Sequence, residues 1–298
     1  MTFESIDIVQ QEMLRHYYVP NRGLATVIFL ALKLGKPLFL EGEAGVGKTE
    51  VGKVLARMLD TSLIRLQCYE GLDLHNAVYE WDYARQILHL RMLEATAATR
   101  GEMARDLYSR EFLLARPLLQ AIENNEQQVP VLLIDEIDRA DEEFESFLLE
   151  ILSDFQITIP EIGTIYAAQS PVVVITSNRT REVHDALKRR CLYQWIDYPG
   201  FETEYQIVQM KVPGISERLS LQVVYAVQQL RQAELYKPPG IAETLDWASA
   251  LIAMNTHTLD EGAINDTLGV LLKYQDDVQR LHGPLAQDLA RQAQAIYP

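Results

Sequence analysis

The stretch Leu38-Phe39-Leu40-Glu41-Gly42-Glu43-Ala44-Gly45-Val46-Gly47-Lys48-Thr49 decides the fold. Its first four residues read as a buried strand, and the next eight fit G-x-x-x-x-G-K-[ST] before a helical pattern that starts near Thr49. Gly42, Gly45 and Gly47 let the backbone curl, so that successive N–H groups of the loop, those of Glu43, Ala44 and Val46 among them, point inward. The first turn of the helix adds partial positive charge at the same place. A plain glycine turn between strand and helix has no need of Lys-Thr in the last two positions. The spacing therefore predicts a phosphate loop for ATP, with Lys48 reaching the β- and γ-phosphates and Thr49 giving its hydroxyl to Mg2+.

Working outward, Val131-Leu132-Leu133-Ile134-Asp135-Glu136 is an apolar strand that ends in two carboxylates. Asp135 is placed to hold the magnesium through water, and Glu136 to polarise a water for in-line attack on the γ-phosphate. A further apolar run, Val172-Val173-Val174-Ile175-Thr176, leads into Ser177-Asn178, where a neutral amide can orient that water or touch the γ-phosphate; by itself an Asn at a strand end is more often a turn former, and only the two preceding motifs reverse that preference. Asp185-Ala186-Leu187-Lys188-Arg189-Arg190 is a basic helix end. It reads either as charge complementarity at a helix C-terminus or as an arginine finger offered to a neighbouring subunit. The acidic run Asp138, Asp141, Glu142, Glu143 and Glu145 reads as a solvated helix face.

Short apolar runs alternate with helical patterns as far as about residue 200, which is what a parallel sheet with crossover helices requires. Candidate strands are Pro37–Glu41, Leu63–Gln67, Val131–Asp135, Val172–Thr176 and Leu192–Ile196. A hairpin is expected over Gln156–Ala167 around Glu161-Ile162-Gly163. From Glu202 on the pattern is helical, with apolar spacing of three and four in Leu219–Leu230, Ile241–Ala253 and Leu268–Val278. The fold class is α/β: a P-loop core with a five-stranded parallel sheet over residues 1–199, followed by a C-terminal helical bundle over 200–298.

The 298 residues are 48% hydrophobic, enough for a sizeable core. The longest uncharged apolar stretch, Gly23–Leu32, falls short of the roughly 20 residues that span a membrane, and the N-terminus lacks the pattern of a secretion signal. A cytoplasmic protein without a membrane span is expected. The net charge of −15 opposes nucleic acid and anionic membranes, and favours protein partners or simple solubility. Cys68 and Cys191 are too few for a disulfide framework and read as buried thiols, and the six histidines show no ligand spacing. The segment Tyr79-Glu80-Trp81-Asp82-Tyr83 reads as a packed amphipathic helix start or as an exposed aromatic surface.

These strings together resemble AAA+ ATPases, and more narrowly the MoxR family in its carbon monoxide dehydrogenase maturation branch. The resemblance rests on Leu40–Glu50, Leu66–Asp73, Tyr79–Tyr83, Leu133–Phe144 and Thr176–Arg181, and covers nearly the whole chain. It implies a homo-oligomeric ring, hexameric, that remodels a protein substrate and helps to insert or activate a metal cofactor beside a von Willebrand factor A-domain partner. It further implies that the bundle over 200–298 is a C-terminal helical lid domain, an insertion in the second helix over Leu74–Glu123, Asn178 as a polar sensor, and Arg190 as the finger with Arg189 as the alternative. The family's lid arginine is missing: Ala242 stands where it is expected, and Lys237 is the nearest substitute. A small-molecule P-loop kinase or a nucleotide-dependent binding module are the competing functions.

Overall fold

The computed structural model describes residues 3–94, 107–124 and 129–296. The chain groups into two compact units. One comprises Met1–Val9, Arg22–Glu41 and Gly52–Gln194; the other comprises Gln10–Asn21, Gly42–Val51 and Trp195–Pro298.

The first unit is built on strands β1 (Leu38–Glu41), β2 (Leu63–Gln67), β3 (Tyr79–Trp81), β4 (Leu113–Ala115), β5 (Val131–Asp135), β6 (Gln156–Ile159), β7 (Gly163–Tyr166), β8 (Val172–Ser177) and β9 (Leu192–Trp195). Five of them form the expected parallel sheet, in the order β2-β5-β8-β1-β9. Every residue of β5 is buried, as befits a central parallel strand covered on both faces. Phe39, Leu132, Ile134, Val173 and Ile175 carry one face of the sheet into the main core. The register sets Gln67 beside Asp135 and Glu41 beside Ser177, so the polar residues that close these apolar strands collect along one edge.

The hairpin is formed by β6 and β7, paired antiparallel from Gln156↔Tyr166 to Ile159↔Gly163. Tyr79–Trp81 is a strand rather than a helix start, paired antiparallel with β4. Pairing buries Trp81, and the helix begins only at Tyr83, which is exposed together with Ile87, Leu88 and Met92. Packing thus describes Trp81 and fails for Tyr83.

The second unit carries the helices Phe201–Lys211, Glu217–Gln232, Ile241–Ala253, Glu261–Leu271, Gln275–Leu281 and Pro284–Ala295. Trp247 is fully buried, and its indole N–H donates to Thr267 Oγ1 at 2.7 Å, so the largest core side chain leaves no orphan donor. Ser216 and Asp260 cap their helices by accepting from Leu219 N and Ala263 N. The expected helical run Leu268–Val278 is broken: Leu272 and Tyr274 are extended, and a new helix starts at Gln275. The restart lets buried Asp277 accept from the backbone N–H groups of Tyr236 and Lys237 at 2.9 and 3.3 Å. Among the described residues, no helix is long and apolar enough to cross a membrane.

Candidate functional site

Asp135 closes β5 and is almost fully buried. Its Oδ1 accepts from Thr176 Oγ1 at 2.6 Å, and its Oδ2 from Arg65 Nε at 3.0 Å. Thr176 Oγ1 accepts in turn from Glu136 N at 2.9 Å. Glu136 leaves the strand in the left-handed conformation, φ 57° and ψ 51°, which is uncommon for a residue with a Cβ. Its carboxylate is gathered by three side chains: Gln67 Nε2 at 3.0 Å on Oε2, Asn178 Nδ2 at 3.3 Å on Oε1, and Arg139 at 3.3 Å. Asn178, ambiguous in the sequence, therefore does stand beside Glu136. Gln67 is a partner that the sequence reading missed, since its strand looked merely apolar.

In the second unit the loop Gly42–Thr49 is shaped by the main chain. Gly45 and Gly47 adopt φ 80° and 97°, conformations that favour glycine. A Cβ on Gly42 would lie 2.1 Å from the carbonyl oxygen of Ile196. Lys48 is buried and its ammonium donates to the carbonyls of Gly42 and Glu43 at 2.8 and 2.6 Å. The carbonyl of Gly45 accepts from Ile241 N at 2.9 Å and Ala242 N at 3.4 Å, which sets the first turn of the helix Ile241–Ala253 against the loop. A Cβ on Gly240 would be 3.0 Å from Gly45 Cα, so the two backbones touch. Ala242, where the sequence resemblance leads to the expectation of an arginine, contributes its N–H. Lys237 is exposed and engages Asp277 through its backbone.

The profile of the AAA domain (dynein-related subfamily) matches residues 37–191, just over half of the chain. The chain belongs to this family. The matched segment runs from the residue before β1 to the residue before β9. Among curated relatives, chaperone protein ClpB of Agrobacterium fabrum is 27% identical over 162 residues, covering 53% of this chain and 14% of the relative. Chaperone protein ClpB 1 of a Nostoc species is 24% identical over 196 residues, covering 65% of this chain and 17% of the relative. The chain thus spans less than a fifth of the length of either ClpB. A solved RuvB variant of Thermotoga maritima shares the fold at a TM-score of 0.52 and 16% identity, covering 91% of this chain and 75% of that one.

Within the AAA domain, two acids of the run assigned to a solvated face are instead buried. Asp138 is 2% exposed and accepts from Asn178 N at 3.1 Å, Thr180 N at 2.9 Å and Thr180 Oγ1 at 2.6 Å. Burial alone would raise its carboxyl, but the hydrogen bonds from Thr180 and Asn178 outweigh it and hold the group below the usual carboxylate range. Glu145 is 1% exposed, accepts from His184 N at 2.7 Å and pairs with Arg181. Together they pin the segment 178–184. Glu142 and Glu143 are exposed as expected, and Asp141 caps its helix by accepting from Phe144 N. A signal for Glu145 existed: it falls three and seven residues before Leu148 and Leu152, on the helix's buried stripe.

The basic helix end divides. Arg190 Nη1 donates to the Leu149 carbonyl at 2.7 Å, whereas Arg189 is exposed and makes no hydrogen bond or ion pair among the described residues. Both cysteines are buried, and burial first of all pushes each thiol up to about 12, with the charges of Asp135, Asp138, Glu136 and Glu145 adding to the effect at Cys68. Neither is a reactive thiolate near neutral pH. Among the described residues, no group of His, Cys, Asp and Glu could hold a metal on its own.

Proposed function

We propose that this AAA-domain chain binds and hydrolyses ATP in a ring of identical subunits, hexameric, and uses the cycle to remodel a protein client. More narrowly, the reading is a MoxR-type helper in metalloenzyme maturation, working in the cytoplasm with a von Willebrand factor A-domain partner. The observation that carries the hydrolytic part of this reading is the setting of Glu136, one residue beyond buried Asp135 and gripped by Gln67 and Asn178; the ring, the client and the partner rest on the resemblance. The loop fits a nucleotide, because a buried ammonium and glycines that exclude side chains make a cradle for anionic phosphate.

In this reading Gly42–Thr49 binds the phosphates and Lys48 moves from the loop's own carbonyls onto the β- and γ-oxygens. Thr49 and Asp135 would hold Mg2+, which supplies charge that offsets the developing negative charge. Glu136 takes the proton from an attacking water that Asn178 orients. Arg189 is the better finger, since Arg190 already has a carbonyl to bind. The helix Ile241–Ala253 reports the state of the loop through the Gly45 carbonyl, in place of the absent arginine. Residues 1–199 act as the nucleotide-binding domain and 200–298 as the lid. A net charge of −15 weighs against a nucleic-acid motor.

The test is light scattering with and without ATP, with phosphate release recorded on the same samples for wild type and Glu136→Gln. ATP-driven assembly, with turnover lost by about 10²-fold or more in Glu136→Gln, supports the reading. A chain that hydrolyses equally well as a monomer overturns the ring, and an active Glu136→Gln overturns the assignment of the base.

A further inference from the structure

The helix Asp185–Arg190 ends in three consecutive cations, and the first is tied to the sheet. Lys188 Nζ lies 3.2 Å from Glu41 Oε1, and the Tyr193 hydroxyl donates to Glu41 Oε2 at 2.8 Å. The same ammonium sits 5.5 Å from the centre of the Phe39 ring, which stacks on Tyr193 with centroids 6.2 Å apart. Phe39 and Glu41 are two residues apart on β1 and so share a face, to which the neighbouring β9 brings Tyr193. Glu41 is 5% exposed, and a buried carboxylate that loses one partner is left with an uncompensated charge. The pair is therefore held to its geometry. Burial, then the hydrogen bond to Glu41, pushes the Tyr193 hydroxyl up to about 12, so it remains a donor. At the other end of the triplet Arg190 is fixed to Leu149. Arg189 projects between two anchored neighbours.

We infer that Glu41, Lys188 and Tyr193 are positioning residues that aim Arg189 at the nucleotide phosphates held by a second copy of this chain. The inference rests on the ring reading above. Glu41 is the residue immediately before Gly42 of the phosphate loop. The strand that leads into one subunit's loop thus also sets the aim of the cation which that subunit presents to its neighbour. A displacement of about 1 Å of such a group can cost on the order of 10²-fold in rate without touching binding.

The experiment is subunit mixing. Lys188→Met keeps the length of the side chain and removes its charge; Glu41→Gln is near-isosteric and serves if Lys188→Met proves too unstable to assemble. Each alone is expected to bind a fluorescent ATP analogue within about twofold of wild type and to lose on the order of 10²-fold in kcat at unchanged KM. Lys188→Arg is expected to restore most of the rate. Mixed in equal amounts with Glu136→Gln, either variant should regain roughly a quarter of wild-type turnover. In a closed ring, its own intact site then meets the intact Arg189 of a Glu136→Gln neighbour at about one junction in four. No recovery in the mixture, with nucleotide binding lost in the single variants, places Glu41 and Lys188 in support of their own loop and overturns the inference alone. A wild type whose rate per subunit is independent of concentration overturns the ring reading, and the trans role with it.

Discussion

The carboxyl edge of the parallel sheet and the glycine loop Gly42–Thr49 are made from different materials. At the edge, side chains do the arranging: Thr176 and Arg65 on Asp135, Gln67 and Asn178 on Glu136, Thr180 on Asp138. In the loop, main chain does it: glycines in left-handed conformations, Lys48 on two carbonyls, and Gly45 accepting from the N–H groups of Ile241 and Ala242. The difference teaches where each region is vulnerable. An arrangement made of side chains fails when an atom is removed, and one made of backbone fails when an atom is added.

The largest expected effect tests the second half of that statement. Gly42→Ala adds a carbon that would sit 2.1 Å from the Ile196 carbonyl. We expect a loss of about 3 kcal/mol in thermal or denaturant unfolding, and loss of ATP binding by calorimetry. A stable, nucleotide-binding Gly42→Ala protein would break the contrast.

Next comes deletion at the edge. Asp138→Ala leaves the backbone N–H groups of Asn178 and Thr180 without their acceptor, at a cost of about 1–3 kcal/mol in denaturant unfolding. The pH dependence sharpens it. Because the folded carboxyl lies below its ordinary range, its contribution is present in full above the unfolded value of about 4 and is lost as pH falls through the folded value. Wild type should therefore lose stability on acidification more steeply than Asp138→Asn, measured as melting temperature against pH. Equal slopes would remove Asp138 from the account.

The smallest effect is a near-silent one. Ala242 is exposed and offers its N–H to Gly45, so Ala242→Gln is expected to change unfolding by no more than about 0.5 kcal/mol and to leave ATP turnover within about twofold. A large change in either would mean that the side chain at this position matters after all.

The loop and the five strands were legible because their signals are local: a fixed spacing of Gly and Lys-Thr, and unbroken apolar runs of strand length. Asp135 and Glu136 were legible for the same reason, as polar residues closing such a run. Asp138 and Glu145 were not, since their partners lie some 40 residues away and an acid beside other acids looks solvated. Arg231 was missed likewise. It forms a buried pair with Glu204, which also accepts from Thr244 at 2.8 Å, but nothing near Arg231 in the chain announces a partner 27 residues back. The break after Leu271 escaped because apolar spacing continues through it, and the cause is the long-range demand of Tyr236 and Lys237 on Asp277. The β3–β4 ladder was hidden because three-residue strands carry too few residues to display a period.

The left-handed backbone at Glu136 has a further consequence for the protein's history. Holding a residue with a Cβ there costs about 1 kcal/mol that glycine would recover. A population of variants selected only for heat tolerance should therefore drift toward Glu136→Gly, gaining backbone freedom while discarding the carboxylate that we propose as the base.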